Sequence, residues 1–395
     1  MKKVGMNMER VKHQNRALIM NCISDSGPIS RTDIAKKTGF TAASVTQITN
    51  LLIEEGLLVE TGSVPSDSGT AGRRKILLDI NRDAAYIYCI NIEPEETTLA
   101  VCDLKGDVLK DESENKLIVT VPTDKSIAPE AFLKKCAELS LHMAERKGKR
   151  HHGHMKCVSV CVTGVVDGET AVSKKAYGIW DEEVNLGEPL KKVLNVPVVA
   201  ENNVDAFAEA EILFGVGREK DNLLIIKWGP GVGSTIITDG KIYKGRHGRA
   251  AELGHYIIDK EGKQCSCGRR GCLETFVSYS AIREILPIFD SDKIENIRDF
   301  LSEKAAEKFK EIIDTFAICI TNTATILAPN RIVLCGPLFR NKKIRDRLIE
   351  ACSSLSLYLG EKRIIYTELS EKENYIGPVA VFFQRALLGE STNLL

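Results

Sequence analysis

The sequence predicts an N-terminal winged helix-turn-helix followed by a two-lobed α/β body with a central cleft. Three observations carry this. Short capped helices precede a pair of strands within the first eighty residues. A strand–strand–turn–strand pattern starts near Tyr86 and returns at Leu223. A knot of cysteines with an upstream histidine lies between Glu252 and Glu274.

In the N-terminal part, Ala17, Leu18, Ile19, Cys22 and Ile23 follow helical spacing, and Gly27-Pro28 ends that run. Ser30 caps a second helix, with Asp33 as its capping-box-like partner, Ile34-Ala35 facing inward and Gly39 closing it after two turns. Thr41 caps a third, whose inner face is Val45, Ile48, Leu51 and Leu52, and Gly56 stops it. Leu57-Leu58-Val59 starts a strand, a Ser/Gly-rich loop runs from Gly62 to Gly72, and Ile76-Leu77-Leu78 forms a second strand. The third helix would offer Ser44, Thr46, Gln47 and Asn50 to a major groove, where a glutamine can pair bidentately with an adenine edge. Arg73, Arg74 and Lys75, at the base of the wing, can neutralise phosphates or reach a minor groove. Residues 1–40 hold eight Lys/Arg against three acids, which also suits a polyanion. A protein-docking module is the alternative; the polar presented face favours DNA.

Composition sets the outer bounds. At 395 residues the chain is long enough for two or three domains, and 43% apolar with 27% charged residues is ordinary for a soluble protein. Its 54 basic and 54 acidic residues balance, which argues against a protein that coats nucleic acid. No apolar run approaches a membrane span, and no hydrophobic stretch follows Lys2 and Lys3 to make a secretory signal. The expected compartment is the cytoplasm, where thiols stay reduced and free to bind metal.

The body begins at Ala85. Tyr86 to Ile92, Thr98 to Asp103, a turn at Lys105-Gly106-Asp107 and a meander ending near Lys116 make the first unit. Leu223 to Trp228, Ser234 to Thr238, the turn Asp239-Gly240-Lys241 and Ile242-Tyr243 repeat it. Duplicated α/β units enclose a cleft, the usual place for a small ligand. Within the second unit, His255, Cys265, Cys267 and Cys272 supply one imidazole and three thiolates, the set for a closed structural zinc site. Gly268 and Gly271 let Cys272 return to the same ion. Such a metal braces the backbone and leaves no open position for chemistry. It would hold Glu252 and Glu274 rigidly beside the imidazole, an arrangement that suits sugar hydroxyls as donors. Most of the other cysteines are expected to be small buried hydrophobes. The run from His151 to His154 has no partner motif and reads as an exposed loop; Tyr177 and Trp180 could cover a sugar face near the cleft, but core packing is the favoured role for both.

Glu-Leu-Gly-His at 252–255, Cys-Ser-Cys-Gly-Arg-Arg-Gly-Cys-Leu-Glu at 265–274, Gly-Pro-Gly-Val-Gly at 229–233 and Glu-Asn-Asn at 201–203 together resemble the ROK proteins, bacterial sugar kinases and sugar-responsive repressors. The resemblance covers essentially the whole chain, and the fused winged helix-turn-helix is similar to the family's repressor branch. It implies an actin-like, hexokinase-type body (a duplicated ribonuclease H-like fold), with Asn202, Glu252, His255 and Glu274 at sugar-binding positions. It also exposes two departures from the kinases. Where they carry Asp-x-Gly-Gly-Thr for the nucleotide phosphates, this chain has Asn-Ile-Glu-Pro-Glu-Glu-Thr at 91–97. Proline lacks the N–H, the glycines' freedom is gone, and three glutamates put negative charge where a triphosphate would lie, at about 4 kcal/mol per like-charge contact at 4 Å and an effective dielectric of about 20, so ATP is expected to bind poorly. Where they carry Glu-Asn-Asp, this chain has Asn203, a carboxamide that can bond a hydroxyl but not take its proton.

The expected organisation is residues 1–80 as the DNA-binding domain, 81–200 as the first lobe joined by 375–395, and 201–374 as the second lobe with the zinc site. Glycines 229–233 and Cys335-Gly336-Pro337 read as inherited scaffold, and the helical stretch Ala305 to Leu327 as a supplier of apolar contacts at a lobe or dimer interface. The expected partners are double-stranded operator DNA, a sugar effector bound by Asn202, Asn203, Glu252, His255 and Glu274, and a second copy in a homodimer or dimer of dimers. No catalytic residue is expected. The alternatives are an active ATP-dependent sugar kinase with a fused DNA-binding domain and a regulator controlled by a protein partner.

Overall fold

A computed structural model of the chain describes residues 15–387, except 66–73, 149–152, 286–302 and the single positions 17, 21, 25, 220, 249, 357 and 361. Helical turns between residues 15 and 26 lead into the short strand β1 (Ile29–Ser30) and helix α1 (Arg31–Thr38). Ser30 Oγ accepts the Asp33 N–H at 3.2 Å and Gly39 closes the helix at φ 73°, as the capping pattern predicts. Thr41 Oγ1 accepts the Ser44 N–H at 3.1 Å and starts helix α2 (Ala42–Glu54). The inner face of α2 differs from expectation: Val45, Thr49 and Leu52 are buried, Ile48 is half-buried and Leu51 is 49% exposed. Spacing of four and then three residues keeps a helical stripe in line, and Leu51 falls one step off it. Strands β2 (Leu58–Val64) and β3 (Lys75–Ile80) pair antiparallel, and β1 adds to the outer edge of β3. The loop expected between Gly62 and Gly72 therefore starts later, because β2 runs through Val64.

The body contains two five-stranded sheets with one topology. In the first, β4 (Ala85–Ile92) is flanked by antiparallel β5 (Glu96–Asp103) and β6 (Ile118–Pro122) on one side. Parallel β7 (His154–Val162), then β11, lie on the other. The third strand of this meander follows Lys116 instead of ending there; residues between Leu104 and Leu117 form turns joined by isolated bridges. His154 opens β7 rather than lying in a loop, although it is exposed; His151 and His152 lie outside the described residues. A small antiparallel sheet of β8 (Val165–Asp167), β9 (Val172–Lys175) and β10 (Val184–Asn185) follows. Helices α3 (Pro129–Glu145) and α4 (Gly187–Leu194) and strand β11 (Val198–Asn202) complete the lobe. Since β11 pairs with β7 up to Asn202, the first sheet extends past residue 200.

Helix α5 (Asn203–Phe214) carries the chain to the second sheet. There β12 (Leu223–Trp228) is flanked by β13 (Val232–Thr238) and β14 (Lys241–Ile242), and by parallel β15 (Arg331–Cys335) and β16 (Ile364–Tyr366). Short helices α6 (Glu274–Val277) and α7 (Tyr279–Ile285), the long α8 (Glu303–Leu327) and α9 (Lys342–Leu355) cover it. Helix α8 buries Phe309, Ile313, Phe316 and Ile320 in the second lobe's own core, while Ile318 and Ile326 stay exposed. Helix α10 (Glu373–Phe382) then returns to the first lobe and packs along α5. Gly377 makes that approach possible, because a Cβ there would lie 3.1 Å from Ala206. Each lobe's core holds one tryptophan. Trp180 meets Phe132 edge-on at 6.2 Å in the first, and Trp228 meets Phe316 at 5.0 Å in the second.

Candidate functional site

The strand ends of both sheets meet at a cleft of about 230 Å³, small for a ligand pocket. Asn202, Asn203, Glu252, His255 and Glu274 all line it, so the structure brings the five expected ligand contacts together. They differ in how much bonding capacity remains. Asn202 caps α5: its Oδ1 accepts from Val204 N at 2.8 Å and Asp205 N at 3.0 Å, and its Nδ2 donates to Gly164 O at 2.6 Å. Its amide is largely committed to shaping the wall. Asn203 is different. Its Nδ2 reaches Glu93 Oε1 at 3.4 Å, while its buried Oδ1 has no partner among the described residues. A buried acceptor without a donor is costly, and a ligand hydroxyl would satisfy it.

Glu274 Oε2 accepts the Val232 N–H at 3.1 Å, which fixes the glycine-rich turn against α6. Burial raises the carboxyl's pKa, and nearby Glu252 adds to that rise against the Val232 bond. Glu252 also lies 3.9 Å from His255 Nε2. His255 is buried, which pushes its pKa down to about 4, so it is neutral and available as a ligand. Tyr177, expected in the core, instead lines the cleft and meets the His255 ring edge-on at 4.9 Å; Trp180 is core as expected.

His255, Cys265, Cys267 and Cys272 bring their donor atoms within 4.8 Å of one another. Cys265 Sγ is 3.6 Å from His255 Nδ1, and Cys267 Sγ is 3.6 Å from Cys272 Sγ. Tetrahedral zinc with thiolate and imidazole ligands would set such separations at about 3.5–3.8 Å, so the residues fit a metal. Gly271, at φ 63°, passes so close to Asp259 O that no side chain fits. No other such donor group occurs among the described residues.

Between the lobes the charges correct one expectation. Glu93 and Glu95 do not stand free at the first hairpin: half-buried Glu93 forms an ion pair with buried Lys227 of β12, and Glu95 Oε1 accepts from Arg283 of α7 at 2.9 Å. Burial alone would raise the Glu93 pKa and lower that of Lys227; their mutual attraction reverses both. The expected repulsion by bare carboxylates is therefore absent, and an internal ion pair fills that place. Lys227 was legible as an anomaly, a lysine inside the apolar strand Leu-Leu-Ile-Ile-Lys-Trp at 223–228. A second ion pair in the cleft centres on buried Glu201. Lys244 Nζ reaches Glu201 Oε2 at 2.5 Å and Asp205 Oδ2 at 3.6 Å, and Arg385 also holds Glu201 at 3.1 Å.

On the N-terminal module, Thr46, Gln47 and Asn50 are exposed along α2 and Ser44 is half-buried. Thr46 Oγ1 back-bonds to Ala42 O at 2.8 Å, and Asn50 Oδ1 accepts from Arg31 at 3.1 Å. Arg74 is exposed, Lys75 is drawn to Asp33 at 3.3 Å, and Arg73 lies outside the described residues. No helix among the described residues is long and apolar enough to cross a membrane.

Comparison with known proteins agrees with this architecture. Over 403 residues the chain is 27% identical to the DNA-binding transcriptional dual regulator NagC of Escherichia coli (strain K12), covering 97% of this chain and 95% of that one. It is 28% identical over 276 residues to the xylose repressor of Bacillus subtilis (strain 168), covering 70% and 68%. Among solved structures, a ROK family transcriptional regulator, a homolog of the E. coli MLC protein, superposes with a TM-score of 0.73 at 24% identity, over 96% of this chain and 97% of that one. A ROK family glucokinase from Streptomyces griseus in complex with glucose and AMPPNP superposes with a TM-score of 0.61 at 21% identity, over 74% and 98%. Both likenesses support the fold, a two-lobed α/β body of hexokinase type. The family model for ROK matches residues 87–384, and this chain belongs to the ROK family.

Proposed function

We propose that the chain is a DNA-binding transcriptional regulator, a repressor whose affinity for operator DNA is set by a sugar or sugar derivative bound between the lobes. The observation that carries this reading is Asn203. A neutral amide, its carbonyl oxygen buried and without a partner among the described residues, stands in the cleft beside Glu252, Glu274 and His255. It can accept a hydrogen bond from a ligand hydroxyl and cannot serve as a general base, so the cleft is equipped to recognise a carbohydrate without activating it. The N-terminal module supports the same reading, because α2 exposes Thr46 and Gln47 on a polar face flanked by a two-stranded wing. Zinc held by His255, Cys265, Cys267 and Cys272 braces the effector site and takes no part in chemistry. Two copies present two α2 helices to a palindromic site.

Duplex DNA selected from a random library, followed by gel shift, tests the assignment. Thr46→Ala with Gln47→Ala should weaken binding about 30-fold or more with unchanged circular dichroism, as about 1–3 kcal/mol per base contact would give. Retardation equal to wild type would remove α2 as the reading element. The kinase reading draws on the intact glycines at 229–233. A coupled ATP assay over a sugar panel distinguishes it, since sustained turnover would show that Asn203 does not prevent phosphorylation.

A further inference from the structure

The turn that ends β5, from Asp103 to Asp107, touches three parts of the molecule. It is rigid in itself: Asp103 Oδ1 accepts the N–H groups of Lys105 at 2.8 Å and Asp107 at 2.9 Å, and Gly106 sits at φ 75°. Toward the DNA-binding module, Lys105 Nζ donates to Asp79 of β3 at 2.6 Å, and Arg82, just beyond β3, bonds Asp103 at 3.2 Å and also Asp107. Toward the hinge, Lys372 Nζ donates to Asp107 Oδ1 at 2.5 Å, and Ile376 of α10 lies where a Cβ on Gly106 would be. Lys372 directly precedes buried Glu373, whose carboxyl lies in the field of Lys227. Lys227 in turn holds Glu93, which accepts from Asn203 in the cleft.

We propose that this turn is the coupling element between the cleft and the DNA-binding module, with Arg82, Asp107 and Lys372 as its positioning residues. The inference rests on the reading of the chain as an effector-controlled regulator. The segment after β16 belongs to the second lobe, where Thr367 N donates to Leu334 O at 3.0 Å. Six residues later it becomes α10 on the first lobe, so any change in the angle between lobes displaces Lys372. Asp107 is held by a cation from each side, Lys372 from the hinge and Arg82 from the module. Movement of one changes the restraint on the other. The pairs are partly exposed and screened, so they add little stability. Their contribution is direction: beside them, Asn81 at the linker donates its N–H to Leu57 O and its Nδ2 to Gly56 O, both at 2.9 Å, and apolar residues such as Leu57, Ile80 and Ala85 join the shared core, which fixes no orientation as charges do.

The test uses the full chain and perturbs the hinge from the interlobe ion pair, which needs no identified effector. Lys227→Met, alone and with Glu93→Gln in case the single variant fails to fold, is made in wild-type, Lys372→Met, Asp107→Asn and Lys372→Arg backgrounds. Amide hydrogen exchange over Lys75–Ile80 and affinity for library-selected DNA are measured in each. In the wild-type background the hinge change should alter exchange in β3 and shift DNA affinity about 10-fold, within the usual range of allosteric coupling. In Lys372→Met and Asp107→Asn the shift should fall below about 2-fold, and in Lys372→Arg it should persist. A merely structural turn would leave the hinge effect at full size in every background, and that result overturns the proposal, as does unaltered exchange in β3. If the wild-type chain selects no DNA, the regulator reading fails by that result alone, and the exchange data still judge the coupling.

Discussion

The two lobes share one sheet topology, yet their first hairpins are built from opposite materials. In the second lobe, β12 turns into β13 through Gly229, Pro230 and Gly231, bare backbone at the cleft with Glu274 anchoring Val232. In the first, β4 turns into β5 through Glu93, Pro94 and Glu95, whose carboxylates reach Lys227 and Arg283 in the opposite lobe. One turn keeps space for a ligand. The other spans the space with ion pairs. A duplicated frame can therefore be retained while its chemistry is changed, since the strands fix where a turn lies and the turn residues decide what it touches.

The largest expected effect separates the lobes outright. Cys272→Ser, or removal of metal with a chelator, should unravel the second lobe's site and leave the first lobe folded. Trp228 donates to Val277 O at 2.7 Å within the cluster of Leu253 and Leu273 beside the metal ligands, whereas Trp180 reports on the first lobe. In single-tryptophan variants the Trp228 transition should fall by about 10 °C or more, as loss of several kcal/mol of metal-linked folding energy would give. The Trp180 transition should move much less. Equal shifts would mean the lobes do not differ in this respect.

Next is the bridge between the hairpins. Lys227→Met leaves Glu93 buried without its cation and should cost about 3–5 kcal/mol in urea unfolding, while adding Glu93→Gln should recover most of the loss. A double variant no better than the single would deny that the pair acts as a unit. A smaller effect concerns pH. Burial raises the Glu209 pKa to about 8, with Glu201 adding to the rise and Lys244 and Arg385 opposing it. A raised carboxyl favours the folded state while protonated, so this contribution is complete below about pH 4.5 and is lost as pH rises toward 8. At roughly 1.4 kcal/mol per unit as a ceiling, Glu209→Gln should flatten the stability profile across that window by about 1–3 kcal/mol. A slope unchanged in the variant would assign the pH dependence elsewhere.

The smallest effect compares turns further along. Gly106→Ala and Gly248→Ala both place a side chain at positive φ, but the first meets Ile376 across the lobe–helix contact and the second meets nothing within 4 Å among the described residues. It should cost about 1 kcal/mol more by thermal unfolding.

Much of this was legible in the residues. The caps at Ser30 and Thr41, the duplicated hairpins and the cysteine knot are local patterns, and the structure places them where spacing puts them. What sequence missed is long-range. Glu93 and Lys227 are separated by 134 positions, and nothing near Glu93 says that its charge is answered. For Tyr177 the sequence favours core over cleft, and only the approach of His255 from the other lobe reverses that order. Thr49 replaced Leu51 on the inner face of α2 because helix phase outranks hydrophobicity when the two differ by half a turn.

His255 has one consequence beyond its geometry. A single imidazole offers one nitrogen to the cysteine knot and turns the other toward the cleft, so under the proposed function sensing and metal supply would depend on the same ring. Under the proposed function, starvation for the ion would deafen the protein to its nutrient before it loosened its grip on a promoter. Gene control would then respond to trace-element scarcity as well as to diet.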